Sequence, residues 1–285
     1  MSINITRDDC IDKITSAIKI GDHDETTKAY LSFIILAQFN CKKQIDAILR
    51  NSTEKDSTLD LINNAVREIF GSDYQFTGHG FAKSISDRHK NKEQAVAKHL
   101  QIFNDFLYKN LKISAFITSG TLLGMIREGI FLSHDDDIDL AYISQYTAPE
   151  DILKEREALL KLVNEQENMR AINNNGVIVI GYHFDDQFLR FDLFTGYCEG
   201  DYINIYVQRP NSIPKSAILP LRSEDFYGEQ TNIPQSPEVL LEVNYGPNWR
   251  TPDRSFRFNI NEHISYYKFL LPENNKSINL DEFDG

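Results

Sequence analysis

Cysteine is scarce in this chain and scattered where it occurs. The three cysteines, Cys10, Cys41 and Cys198, are far apart and form no Cys-x-x-Cys pair. That spacing argues against a disulfide framework and a zinc ribbon, and fits reduced thiols in a cytoplasmic protein. Long apolar runs are missing too. The longest, Tyr30 to Phe39, is far too short to span a bilayer, which leaves peripheral attachment through a partner as the route to a membrane. The first ten residues, MSINITRDDC, have neither a basic n-region nor an apolar h-region, so no signal peptide is read there. Positive charge is in deficit as well: Lys and Arg number 30 against 42 Asp and Glu, a net charge of −12. A general nucleic-acid binder more often has the opposite balance, so no nucleic acid is expected as a partner. An anionic substrate stays open, because a bound divalent cation reverses the local field at a site.

What is present is an ordinary globular composition over 285 residues, 41% hydrophobic and 25% charged. Such a chain can bury a sizeable core without staples. Two regions are expected, a helical N-terminal region over 1–90 and an α/β catalytic domain over 91–285. In the first, Ile11, Ile14 and Ile18 recur on one helical face, and KAYLSFIILAQF, KKQIDAILRN and TLDLINNAVREIF read as further helices. Asp56, Ser57 and Thr58 offer N-cap chemistry for the last. GSDYQFTGHG reads as a break. KEQAVAKHLQIFNDFLYKN follows as an amphipathic helix with Val96, Leu100, Phe103 and Leu107 on one stripe.

From Lys112 the texture becomes α/β. ISAFIT reads as a buried strand, SGTLLGMIREG as a turn into a short helix closed by Gly129, and DDIDLAYI as a second strand. Residues 150–168 read as a charged helix with Leu153, Leu160 and Val163 on its apolar face. NNNG is a turn, and VIVIGYHF with QFLRFDLF reads as a hairpin joined at Asp185 and Asp186. DYINIYVQ is a further strand, and the segment after Pro210 reads as loops and short helices. The expected fold is therefore α/β (α+β), a mixed sheet with flanking helices.

The run Ser133-His134-Asp135-Asp136-Asp137-Ile138-Asp139-Leu140 holds the chemistry. Crowded carboxylates repel, and alone the run reads equally as a solvated acidic turn. It enters the apolar strand LAYI, however, where residues i and i+2 share a face. Asp137 and Asp139 then project together while Ile138 and Leu140 face the core. Two carboxylates beside an apolar layer call for a cation, and hard oxygen donors favour Mg²⁺ or Mn²⁺ over zinc. Ser119-Gly120-Thr121 stands at a strand-to-helix junction: Gly120 allows close backbone approach, Ser119 or Thr121 can cap the helix, and its amides suit phosphate. Arg127, later on that helix, is a candidate phosphate contact. Asp192, in Arg190-Phe191-Asp192-Leu193-Phe194, alternates with apolar residues and completes a three-carboxylate metal site if its strand lies beside that of Asp137.

The run SGTLLGMIREGIFLSHDDDIDLAYI resembles the signature of the LicD/fukutin-related phosphotransferases of the nucleotidyltransferase superfamily. Asn244-Tyr245-Gly246-Pro247-Asn248-Trp249-Arg250-Thr251-Pro252 is similar to that family's C-terminal tyrosine-glycine-tryptophan element. The resemblance covers about 112–252 in patches. It implies a nucleotidyltransferase-like core, metal binding at Asp137, Asp139 and Asp192, and a role for Asp135 as base or outer-shell ligand. It also implies transfer of a phosphoalcohol, such as ribitol phosphate or phosphocholine, from a CDP-linked donor to a glycan or glycolipid acceptor in surface polysaccharide synthesis. The sequence departs from the pattern at His134, where an aromatic residue is usual, and at Glu128, where a histidine often follows the arginine. Two rival readings are a sugar-nucleotide glycosyltransferase using a metal-binding Asp-x-Asp, and a non-catalytic scaffold with a degenerate core. A third reading is one domain of a larger synthase.

Overall fold

A computed structural model of the chain describes residues 7–20, 27, 31, 42–77, 80–253, 256 and 262–272. The chain forms two compact units, Met1–Arg88 with Pro252–Phe258, and His89–Thr251 with Asn259–Gly285.

In the first unit the described elements are α1 (Arg7–Ile20), α2 (Lys42–Asn51), α3 (Lys55–Phe70), β1 (Tyr74–Phe76), β2 (Phe81–Lys83) and α4 (Ile85–Arg88). The stripes legible in the sequence make one core: Ile14 and Ile18 meet Ile45, Ile48 and Leu49 of α2 and Ile62 and Val66 of α3. The helix read over 28–39 lies almost wholly outside the described residues. Two expectations need correction. Asp56, Ser57 and Thr58 lie inside the first turn of α3; the N-cap is Glu54, with no side-chain cap, and the Thr58 hydroxyl instead donates to the Glu54 carbonyl at 2.9 Å. The break over 71–80 contains β1, which pairs antiparallel with β2 just beyond it, Phe76 opposite Phe81.

The second unit opens with α5 (Glu93–Leu111), which buries Val96, Leu100, Phe103 and Leu107 as its spacing dictates. There follow β3 (Ala115–Ile117), α6 (Ser119–Glu128), β4 (Ile138–Ile143), α7 (Pro149–Asn164), β5 (Met169–Asn174), β6 (Val177–Phe184), β7 (Gln187–Glu199), β8 (Tyr202–Ile205), β9 (Ile213–Pro214), α8 (Lys215–Ile218), β10 (Arg222–Phe226), β11 (Glu229–Ile233), α9 (Pro237–Tyr245) and a 3-10 helix, Ile264–Leu270. Seven strands form a mixed sheet in the order β3-β4-β7-β6-β5, with β8 paired to β7 and β9. β4 and β7 run parallel, and the other described pairs are antiparallel. A parallel pair needs a crossover connection, and α7 lies within it.

β7 is the spine of this unit. Its 13 residues pair with β4 along one edge over Phe191–Gly196. Along the other edge they pair first with β6 and then with β8. Two tight turns set the register. Asn175 and Gly176 both take positive φ, 49° and 94°, between β5 and β6, as primed two-residue hairpin turns require. Asp185, with φ 48°, turns β6 into β7.

The buried stripe of α7 is Ile152, Glu155, Arg156, Leu159 and Val163 rather than one built on Leu153 and Leu160. Arg156 is one of the largest fully buried side chains. It donates to the Thr195 hydroxyl and, at 2.9 Å, to the Gly176 carbonyl. These partners offset the cost of its burial, which hydrophobic periodicity cannot foresee. β5 and the β10–β11 hairpin were likewise not read from the sequence. Among the described residues no helix is long and apolar enough to cross a membrane.

Candidate functional site

The site is built where β3 hands over to α6 and where the loop after α6 enters β4. The Thr118 amide donates to the Asp139 carbonyl at 3.0 Å, continuing the β3–β4 ladder by one rung. The chain then turns sharply. Ser119 has φ 43°, a left-handed conformation that a non-glycine residue seldom adopts. α6 begins there and ends at Gly129, whose φ of 72° suits a helix C-terminus.

Neither Ser119 nor Thr121 caps the helix. The N-cap is Thr118, with no side-chain cap hydrogen bond. Thr121 serves the acidic strand instead, its Oγ1 accepting the Asp139 amide at 2.9 Å. The Gly120 amide, expected to face phosphate, donates to Asp139 Oδ2 at 2.8 Å. A carboxylate therefore already occupies part of the positive end of this helix, a favourable position for negative charge.

The carboxylates gather tightly. One oxygen from each of Asp135, Asp137 and Asp139 lies within 4.8 Å of the others. Asp137 and Asp139 are 4% and 9% exposed, so they keep little water of their own. Burial raises the pKa of Asp135 well above the usual carboxylate range, and the charges of Asp137, Asp139 and Asp136 push the same way. Asp135 also shares a side-chain hydrogen bond with Asp137. A bound cation would offset the repulsion among these carboxylates. Three hard oxygen donors at this spacing fit a divalent metal ion, and the donor set suits Mg²⁺ or Mn²⁺.

Gly120 leaves room for this cluster. A Cβ at that position would overlap Asp135 Oδ2 and come within 3.2 Å of Asp139 Oδ2. The loop carrying Asp135 is braced by the β10–β11 turn. The Phe131 amide donates to the Tyr227 hydroxyl at 3.1 Å, and the two rings stack at 5.2 Å.

Asp192 stands directly across the parallel ladder from Asp139, at the same register position. It is not one of the three gathered carboxylates. Arg190 Nε lies 3.4 Å from its Oδ1. Arg127 is held from two sides: Nη2 is 2.7 Å from Glu128 Oε1, and Nη1 donates to the Trp249 carbonyl at 3.3 Å. Trp249 is buried, with the Arg250 guanidinium 4.2 Å from its ring centre. His134 and His183 are exposed. Spacing alone pairs Asp137 with Asp139, and the resemblance adds Asp135 as base or outer-shell ligand; the fold gathers all three within 4.8 Å.

Tyr245, in the C-terminal element that resembles the family's, is the last residue of α9. Burial raises its pKa well above the usual phenol range, reinforced by the charges of Asp139, Asp135 and Asp137 and opposed by Arg127. Its side chain therefore sits within electrostatic reach of the whole cluster.

A mixed sheet with flanking helices thus carries a tight turn into a helix and clustered carboxylates at the adjoining strand. Residues 112–236 match the family model described as LicD/FKTN/FKRP, nucleotidyltransferase domain. The matched segment holds Ser119, Gly120, Thr121, Arg127 and the carboxylates Asp135, Asp137, Asp139 and Asp192. No curated protein sequence matches the chain. Solved structures that match comprise 11 chains. One is a crystal structure of ANT(2″)-Ia in complex with adenylyl-2″-tobramycin, at 15% identity and TM-score 0.32, covering 61% of this chain and 87% of that one. Another is a STING-associated CdnE c-di-GMP synthase from Capnocytophaga granulosa, at 12% identity and TM-score 0.30, covering 71% of this chain and 56% of that one. At these values neither likeness bears on the reading of the site.

Proposed function

We propose that this chain is a metal-dependent phosphotransferase. It moves a phosphoalcohol group, such as ribitol phosphate or phosphocholine, from a CDP-activated donor to a glycan or glycolipid acceptor in surface polysaccharide synthesis. The observation that carries the reading is the convergence of Asp135, Asp137 and Asp139 within 4.8 Å inside the family-matched segment. Asp137 and Asp139 would hold Mg²⁺ or Mn²⁺ beside Asp135, with Asp192 closing the set from β7. When bound, the cation supplies charge neutralisation at the donor diphosphate. Ser119 and Gly120 line the diphosphate side with Arg127, and Thr121 fixes Asp139 from behind. The acceptor hydroxyl oxygen forms the new P–O bond, its proton passes to Asp135, and the bond from phosphorus to the leaving CMP oxygen breaks. Catalysis then rests on positioning and electrostatics. In this reading residues 91–285 are the catalytic domain, 1–90 an appended region, and the protein works in the cytoplasm, attached to a membrane only through a partner.

Calorimetry with CDP, UDP and GDP, with and without Mg²⁺ or Mn²⁺, tests it on the wild type and on Asp137→Asn. Metal-dependent binding selective for CDP and lost in the variant supports the reading. Selectivity for UDP or GDP would instead indicate a sugar-nucleotide glycosyltransferase, and absence of any nucleotide binding a non-catalytic scaffold.

A further inference from the structure

Every nitrogen of the Arg127 guanidinium is already engaged. Nε and Nη2 donate to Glu128 Oε1 at 3.1 and 2.7 Å, and Nη1 donates to the Trp249 carbonyl at 3.3 Å. Arg127 lends the site charge, while its fork is turned to the protein. Arg190 stands differently. It lies two residues before Asp192 on β7, so both side chains leave the same face of the strand. Asp192 is level with Asp139 across the parallel ladder, and continuing that register one rung beyond Ile138 and Phe191 sets Arg190 level with Asp137. On the other flank, in β6, the residue opposite Arg190 is Gly181, so no β6 side chain stands in that row.

Among the described residues Arg190 has one polar contact, its Nε 3.4 Å from Asp192 Oδ1. That separation makes an ion pair but is too long for a good hydrogen bond, and Nε is buried without a hydrogen-bond partner. Nη1 and Nη2 make no hydrogen bond to a described residue, and the side chain keeps 24% of its surface exposed. A guanidinium that served only to neutralise Asp192 would meet the carboxylate fork to fork. Here it touches the carboxylate along one edge and leaves its terminal N–H donors uncommitted. Resting on the phosphotransferase reading above, we propose that Arg190 grips the donor: its terminal nitrogens donate as a pair to phosphate oxygens of the diphosphate, and its Nε edge on Asp192 keeps that grip in register with the carboxylates. Cation binding and diphosphate binding then fall on adjacent rungs of one sheet face.

The test uses the whole chain with Mn²⁺ and inorganic pyrophosphate, which carries no nucleoside and is blind to the choice of CDP. Affinities for Mn²⁺ alone, and for pyrophosphate at saturating Mn²⁺, are measured by calorimetry on the wild type, Arg190→Lys and Arg190→Gln, with thermal unfolding beside each. Arg190→Lys keeps the charge and loses the paired donors. It is expected to leave Mn²⁺ affinity unchanged and to weaken pyrophosphate on the order of tenfold, as befits one hydrogen bond between charged groups. Arg190→Gln, which loses the charge as well, is expected to weaken pyrophosphate further while Mn²⁺ affinity holds or rises, because a positive charge beside the carboxylates has gone. Unchanged pyrophosphate affinity in Arg190→Lys overturns the proposal. So does a parallel loss of Mn²⁺ affinity, which would make Arg190 a support for Asp192, and so does loss of cooperative unfolding in both variants, which would make it a structural ion pair. Wild-type protein that binds Mn²⁺ but no pyrophosphate overturns it too. If pyrophosphate responds as expected while CDP shows no advantage over UDP and GDP, the donor assignment fails and the role of Arg190 stands.

Discussion

At the scale of single residues, Gly120 shows how closely the backbone and the carboxylates approach. Its amide holds Asp139 at 2.8 Å, and its missing Cβ is the space Asp135 Oδ2 uses. Gly120→Ala puts a methyl group against the end of a short side chain, which can swing away, rather than against backbone. Near a helix start alanine also lowers the entropy of the unfolded chain, worth about 0.4–1 kcal/mol. The two effects act on different properties. Thermal stability is expected to stay within about 1 kcal/mol of the wild type, while Mn²⁺ affinity falls tenfold or more, because carboxylates at metal distance tolerate little displacement. Calorimetric titration beside a melting curve separates them, and an alanine variant with wild-type Mn²⁺ affinity would show that Asp135 belongs outside the donor set.

At the scale of elements, the same substitution one turn later has a different outcome. A Cβ on Gly124 would stand 2.5 Å from the Ile130 carbonyl oxygen and 3.1 Å from the Leu132 nitrogen. Both are backbone atoms of the loop that leads into Asp135. Helix propensity favours alanine by about 1 kcal/mol, but overpacking against backbone costs about 1–3 kcal/mol, and the clash wins. Gly124→Ala is expected to lower stability and Mn²⁺ affinity together, read by denaturant unfolding and the same titration; a stabilised variant would mean that α6 docks on this loop loosely. Much at this scale was legible. The stripe of α5, the closing of α6 at Gly129 and the β6–β7 hairpin at Asp185 follow from spacing and turn chemistry. β5 was missed because MRAINN has little β-branched character, and β10 and β11 because RSEDF and EQTNI are mostly polar and only partly buried. The face of α7 was missed because a buried arginine, paired with Thr195 and Gly176, breaks the apolar stripe. Within the site, the Asp-x-Asp strand was readable. The use of the Gly120 amide by Asp139 was not, because it depends on two segments 19 residues apart meeting at one rung.

At the scale of the whole molecule, a chain of net charge −12 concentrates negative charge where its fold can least disperse it. One charge pair about 4 Å apart amounts to roughly 4 kcal/mol at an effective dielectric of 20, so the metal-free fold carries a local penalty. Asp135 has a folded-state pKa above its unfolded value. For such a group the native state binds the proton more tightly, so the stability it contributes is present below the unfolded value and lost as pH rises through the raised one. A divalent ion competes with that proton and is favoured as pH rises. Free cation at a hundredfold its Kd adds about 2.7 kcal/mol to the folded state. Melting curves with and without Mn²⁺ should therefore diverge as pH increases, the metal-free curve falling while the Mn²⁺ curve holds. Asp137→Asn removes one charge from the cluster, so its metal-free Tm is expected to exceed that of the wild type at neutral pH, with almost no response to Mn²⁺. A Mn²⁺ shift in Asp137→Asn equal to that of the wild type, or one independent of pH, would place the cation somewhere other than this cluster.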